Sequence, residues 1–324
     1  MGTAFRYASK SKELMDSSQL IQLANEEGFE LAGVTSADPP QHVKSYKRWL
    51  ASGFHGEMEY MERHEELRQD PKLLLPSCRS ILAVGLNYLQ EPNHLPGEPK
   101  IARYALGKDY HKVIRKKLKR VEAHLPRGTE SRICVDSAPL LEREIASRAG
   151  LGWIGKNTML IDSHRGSWFL LGFLLTSLEF ESSVPAKGGC GKCRACIDAC
   201  PTGAIVLHQS EWQVDSRKCI SYLTIEKRGD FQTTESASIQ DWTFGCDVCQ
   251  EVCPFNQPRE NQPQRAQITS EGSFLRRRTW PGLSELTQME ETDWDERTQG
   301  SAVRRAGYDG LKRNAQANLD NQKS

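Results

Sequence analysis

The sequence predicts an α+β protein built in three parts. Residues 1–181 read as an α/β block, residues 182–258 as a cysteine-rich domain and residues 259–324 as a short helical tail. Three observations carry this reading. Apolar runs of β type alternate with helix-spaced apolar positions through the first part. Eight of the ten cysteines then fall between Cys190 and Cys253. A polar, aperiodic stretch, "NQPRENQPQRAQ", separates them from the last helical pieces.

Composition narrows the class. An apolar fraction of 38% with 26% charged residues is that of a globular chain rather than a disordered one. The net charge of +1 provides no global field for nucleic acid or a membrane, so either partner must be held by local patches. The opening "MGTAFRYASKSKELMDSS" lacks the apolar core of a signal peptide. "SWFLLGFLLTSLEF" (167–180) is too short and interrupted to span a bilayer and reads as a buried strand. A cytoplasmic protein without membrane contact is expected. In that reducing setting, crowded cysteines indicate metal or redox chemistry rather than disulfides.

Each element follows from its own pattern. "SSQLIQLANEEGFELAGVTSAD" predicts a capped helix over about residues 18–27, a glycine turn and a strand over about 30–35. "RSILAVGLNYL" (79–89) is a second β-type run. Ile114, Leu118, Val121 and Leu125 recur at helical spacing and define one face. "SRICVDS" (131–137) is a short strand. "PLLEREIASRAG" (139–150) predicts a helix with Pro in its first turn and Gly as its stop. Composition changes at "ESSVPAKGG" (181–189), where the cysteine-rich domain begins.

Cys190, Cys193, Cys196 and Cys200 are spaced C-x2-C-x2-C-x3-C and followed by Pro201, the bacterial ferredoxin run. Two-residue gaps let three cysteines wrap an iron–sulfur cube from one tight loop. The fourth, at a helix start, turns toward the other cluster. Cys246, Cys249 and Cys253, followed by Pro254, repeat the pattern one ligand short, and Cys219 supplies the deficit. The exchange rule then assigns Cys190, Cys193, Cys196 and Cys253 to one 4Fe-4S cluster, and Cys200, Cys219, Cys246 and Cys249 to the other. A zinc ribbon would use two C-x2-C pairs, but eight ligands in two Cys-Pro-terminated runs fit two cubes better. The domain is therefore ferredoxin-like, a one-electron wire that names no substrate by itself.

Elsewhere the chemistry is less marked. No G-x-G-x-x-G follows a strand, no P-loop occurs, and "AGLGWIGKN" (149–157) matches neither. Asp136, in "CVDSAPLLERE", closes a strand. A partly buried carboxylate there can have a raised pKa and act as a general acid, but spacing alone favours a helix N-cap. His55, His64, His111 and His164 read individually as ordinary surface or core residues. Cys134 and Cys78 read as small buried hydrophobes rather than nucleophiles.

The segments "FHGEMEYM", "LRQDPKLLLPSCRSILAVGLNY", "ARYALGKDYH", "VDSAPLLEREIASRAGLGWIGKN", "CISYLTIEK" and "GCDVCQEVCPFN", with the ferredoxin run, resemble the epoxyqueuosine reductase family across about residues 18–257. The resemblance implies a cobalamin-binding N-terminal block like that of reductive dehalogenases, two 4Fe-4S clusters and the last step of queuosine synthesis. In that step an epoxide on a modified guanine is reduced to an alkene. The nucleoside is the wobble position of tRNAs with GUN anticodons, those for Asp, Asn, His and Tyr. By this resemblance Asp136 is the proton donor, which reverses the spacing-only reading. Arg68, Ala102, Asp136, Leu160, Leu171, Ile220, Ser221, Cys246 and Asp247 match cobalamin contacts, and Lys227 matches a tRNA contact. At Ala102 some relatives carry Cys and this chain does not. An external low-potential electron donor and a monomer are further expectations.

The basic run of Lys108, Lys112, Arg115, Lys116, Lys117, Lys119 and Arg120, with "LRRRTW" (275–280) and "RRAGYDGLKRN" (304–314), suits phosphate contacts and base stacking. Two other functions share some of these features. A dehalogenase-like enzyme would use the same cofactors on a small organic substrate. A non-catalytic electron carrier would use the clusters alone. The basic runs and the missing export signal favour tRNA over the first. Some 180 residues ahead of the clusters argue against the second.

Overall fold

The computed structural model describes residues 15–91 and 97–323. Residues 1–14 of the stretch read for a leader lie outside the described residues. The first part is organised by a four-stranded sheet in the order Leu31–Ser36, Ser80–Asn87, Phe169–Thr176, Ser131–Cys134, with every neighbouring pair antiparallel. All eight residues of Ser80–Asn87 are buried. Alternation divides them between two cores. Leu82, Val84 and Leu86 pack with Leu174 and the helix residues Ile114, Leu118 and Val121. Ile81 and Ala83 pack on the other side with Phe173, Leu175, Cys78, Cys134 and Ile145. A strand buried on both faces reads in sequence as an unbroken apolar run.

The helix Tyr110–Glu122 carries the expected face, with Ile114, Leu118 and Val121 fully buried and Leu125 partly so. Its N-cap is Asp109, whose carboxylate accepts from the His111 backbone N–H at 3.0 Å. The first helix is Ser17–Glu26, closed by a capping box between Asp16 and Gln19.

The helix expected over 139–150 is shorter, Glu142–Arg148. The preceding chain turns too tightly to be helical. Ser137 N–H donates to Val135 O at 2.6 Å and Leu140 N–H to Ala138 O at 2.8 Å, while Asp136 takes a left-handed φ of 54°. The N-cap is Leu141, without a side-chain bond, so the capping role considered for Asp136 is not what the fold uses.

In the cysteine-rich part, the short helices Ala195–Asp198 and Val248–Glu251 follow the first cysteines of each run. The hairpin Ile205–His208 and Glu211–Val214 lies between them in the chain, followed by the helix Ile220–Ile225. The strand Trp242–Phe244 pairs in parallel with Lys100–Ile101. Residues 101–106 therefore share a core with the tail: Ile101, Ala105 and Leu106 pack with Leu283, Leu286, Val303 and Leu311. The last helix, Tyr308–Asn321, is stitched on by Asn314, whose Nδ2 donates to Thr224 O at 2.8 Å and Thr243 O at 2.9 Å. Among the described residues no helix is long and apolar enough to cross a membrane.

Candidate active site

The two cysteine sets assemble from distant chain segments. Cys190, Cys193, Cys196 and Cys253 line one small cavity of about 20 Å³. The Cys196 thiol is pushed up to about 11 by burial and by Cys190, Cys253 and Cys193. Burial also pushes Cys249 up, with Cys219, Cys246, Cys196 and Cys200 adding to it. Four thiols so placed repel one another as bare thiolates, and the positive charge of an iron–sulfur cube is what makes them compatible. Among the described residues no three His, Cys, Asp or Glu side chains form a single-ion site. The loop "GWIGKN", unassigned from sequence, braces both sets. Lys156 Nζ donates to Gly191 O and Cys193 O, both at 2.8 Å, and Asn157 Nδ2 donates to Cys249 O at 3.3 Å.

Asp136 stands two residues beyond its strand, on the loop before Glu142–Arg148. It lies deep between elements, yet its side chain keeps 57% of its exposure, as on the floor of an open concavity. Its Oδ2 accepts from Tyr110 Oη at 2.7 Å and pairs with His111 Nε2 at 3.0 Å. The other imidazole nitrogen, Nδ1, is 2.7 Å from Asp109 Oδ1. The Asp136 backbone N–H donates to Glu142 Oε1 at 2.8 Å.

The electrostatics differ from the sequence expectation of a raised pKa at Asp136. Burial works to raise it, but the bonds from His111 and Tyr110 hold it below the usual carboxylate range. His111 is pushed up to about 9: burial opposes this, and the two flanking carboxylates outweigh it. Burial and the charge of Asp136 push Glu142 up to about 8. At neutral pH the site thus holds protons on His111 and Glu142, with Asp136 ionised between them. Read singly, His111 is an ordinary histidine. Its signal in the sequence is the D-x-H pairing in "KDYH", which becomes meaningful only opposite Asp136.

Of the other expected contacts, four gather around the second cysteine set. Ala102 and Ile220 are buried in one cluster with Cys219 and Cys246 packed against it. Asp247 is buried and accepts from the backbone N–H of Arg103 at 2.9 Å and from its guanidinium at 3.2 Å. Ser221 follows in the helix begun by Ile220. Tyr104 links this region to Asp136, its ring 6.0 Å from that of Tyr110. Arg143 lies within electrostatic reach of Glu142, Asp136 and Cys249. Leu160 is buried in the second sheet core, with Leu171 half-buried against it. Arg68 is buried, its guanidinium donating to His64 O at 3.2 Å.

Much of the basic surface read from sequence is used internally. Lys227 is only 14% exposed and pairs with Glu235 at 3.3 Å and Glu57 at 3.6 Å. Arg313 donates to Leu223 O, Lys227 O and Gly229 O. Arg278 holds the carbonyls of Arg297 and Gln299. Arg305 makes a two-point bond with Glu226 at 2.9 and 2.8 Å, lies over the Tyr60 ring and contributes positive potential at Asp136. A tail residue thus comes within electrostatic reach of Asp136, which no local pattern announced.

Comparison with known proteins agrees with this arrangement. Residues 189–256 match the 4Fe-4S double cluster binding domain, and residues 68–137 match "Epoxyqueuosine reductase QueG, DUF1730". An epoxyqueuosine reductase of Vibrio cholerae is 40% identical over 91% of this chain and 80% of its own length. A crystal structure of epoxyqueuosine reductase with a tRNA-Tyr epoxyqueuosine-modified stem loop superposes with a TM-score of 0.82 at 29% identity, covering 94% of this chain and 81% of that one. The Bacillus subtilis epoxyqueuosine reductase, described with its catalytic aspartate loop swung out of the active site, gives 0.80 at 28% identity with the same coverage. With a double-cluster domain matched and identity sustained over nine-tenths of its length, the chain belongs to the epoxyqueuosine reductase family.

Proposed function

We propose that this oxidoreductase reduces epoxyqueuosine to queuosine at the wobble position of GUN-anticodon tRNAs, with Asp136 as the proton donor. It acts as a cytoplasmic monomer fed by an external low-potential electron donor. The observation that carries the reading is the placement of Asp136: an open, ionised carboxylate set deep between elements, hydrogen-bonded by the proton-bearing groups His111 and Tyr110.

We infer that cobalamin would be held in the open space over Asp136. That space is deep yet open at Asp136, and Arg143 is within reach of both Asp136 and Cys249. Arg68, Ala102, Leu160, Leu171, Ile220, Ser221, Cys246 and Asp247 are the residues proposed to hold the corrin. When bound, cobalamin would supply a strongly reducing cobalt centre.

The chain's own part is the proton. Substrate entering the concavity displaces water from the exposed carboxylate of Asp136. Desolvation raises a carboxylate's proton affinity, so the proton on His111 Nε2 moves across 3.0 Å to Asp136. Asp136 then protonates the epoxide oxygen as its C–O bond breaks, and a second proton, with two electrons from the external donor, releases that oxygen as water and leaves the alkene. Asp109 fixes the imidazole and restores its charge balance. Lys227, paired with Glu57 and Glu235, would contact tRNA by exchanging a carboxylate for a phosphate.

The test is nucleoside mass analysis. Protein reconstituted anaerobically with cobalamin and a low-potential reductant is given tRNA bearing epoxyqueuosine. The modified nucleoside should become lighter by one oxygen, only when cobalamin is present. Unchanged tRNA from protein that holds and reduces cobalamin would overturn the proposal in favour of a small organic substrate.

A further inference from the structure

Four of the six Lys and Arg residues of the helix Tyr110–Glu122 fall into two groups. Lys117 and Arg120 are spent inside the protein: Lys117 pairs with Glu271 at 2.8 Å, and Arg120 pairs with Glu27. Arg115 and Lys119 are four residues apart on one face and exposed, and neither forms an ion pair among the described residues. They line an open groove of about 460 Å³ with Arg132 of the neighbouring strand. Arg132 is oriented by its Nη1 bond to Leu74 O at 2.8 Å. The carboxylate in the lining, Glu122, accepts from the Ser131 hydroxyl at 2.7 Å. Three positive charges thus face one negative charge that is already hydrogen-bonded.

The remaining wall is Ser137, Ala138 and Pro139, the loop that carries Asp136. Besides the strand residues Ser131, Arg132 and Ile133, the groove is therefore bounded by two elements. One supplies Tyr110 and His111, the other supplies Asp136, and the bonds of 2.7 and 3.0 Å between them build the proton site. We propose that this groove binds a backbone phosphate of the RNA strand whose target base enters the concavity, and that the phosphate holds the Asp136 loop against the helix. The inference rests on the tRNA reading above. Guanidinium and ammonium groups on one wall, with the Ser137 hydroxyl on the other, are the donors a phosphodiester takes. Neutralising its charge draws the two walls together.

The experiment uses the full chain and a synthetic epoxyqueuosine-bearing anticodon stem loop, with Kd measured across salt concentrations. Arg115→Gln combined with Lys119→Gln should weaken binding roughly 3- to 20-fold at low salt, as expected for two exposed ion pairs. It should also flatten the plot of log Kd against log salt by about 0.7 for each phosphate no longer neutralised. Glu122→Gln keeps an acceptor for Ser131 but removes the opposing charge, and should tighten binding. A loss of fold cannot produce that opposite effect. Hydrogen exchange at residues 135–141 should slow when RNA binds the wild type and stay fast in the double variant.

Wild-type binding with an unchanged slope in the double variant overturns the groove and leaves the tRNA reading standing. No RNA binding by the wild type overturns both. Slowed exchange with inorganic phosphate alone, and none with RNA, assigns the groove to a free anion and overturns the backbone reading.

Discussion

Asp136 occupies a backbone conformation that Asp and Asn tolerate better than other side chains with a Cβ. Asp136→Asn should therefore keep its loop and its bond from Tyr110 while losing the transferable proton. Turnover should fall by roughly 10²- to 10⁴-fold, with the iron–sulfur absorption unchanged. Full activity would remove Asp136 from the mechanism. The same geometry fixes a pH dependence. His111 is raised from 6.5 to about 9, so its contribution to stability is complete below pH 6.5 and is lost as pH rises through about 9. Glu142, raised from 4.5 to about 8, has the same sign, its contribution fading between those values. Asp109 and Asp136 are lowered, and their contributions are lost only in acid, below about 3.8. Urea unfolding of the wild type and of His111→Gln should differ most near pH 6 and converge above pH 9. A difference that grows with pH would contradict this assignment.

The helix and sheet that set the site depend on one close approach. A Cβ at Gly172 would fall 2.5 Å from Ile114 Cγ2 and 3.1 Å from Leu118 Cδ1. Gly172→Ala should force the helix away from the sheet and cost about 1–3 kcal/mol, measured by thermal or urea unfolding. Since the helix carries Asp109, Tyr110 and His111, turnover should fall with it. These elements were legible because their signals are local. The unbroken apolar run at 81–86 and the four-three-four spacing of Ile114, Leu118, Val121 and Leu125 follow from a strand buried on both faces and from helix geometry. The boundary at 139–150 was not legible. The start of that helix is set by the tight turns at Ser137 and Leu140, whose reason lies in where Asp136 must point.

Across the whole molecule, the clusters and the tail join what the chain separates. Cys253 closes the cavity of the first run, 53 residues beyond the last cysteine of that run, Cys200. Cys253→Ser should lose one cluster and about half the iron. Cys200→Ser should lose the other, with the same electron paramagnetic resonance signature as Cys246→Ser. Two signatures grouped by sequence run instead would refute the exchange. Asn314→Ala should leave the carbonyls of Thr224 and Thr243 without its donors and cost about 1–3 kcal/mol, loosening the tail from the strand Trp242–Phe244.

The sequence by itself determined the two-cluster cysteine domain and the order of strands and helices. Cys-Pro runs and apolar periodicity are short-range patterns, each complete within a dozen or so residues. Only the tertiary structure decided that Asp136 meets His111, that Arg305 comes within electrostatic reach of Asp136, and that Lys227 and Arg313 serve intramolecular bonds. Most of those relations join residues far apart in the chain, from 25 positions for His111 and Asp136 to 170 for Glu57 and Lys227. It also decided that the proton rests on His111 rather than Asp136, because a pKa is set by burial and neighbouring charge, and neither exists until the chain has folded.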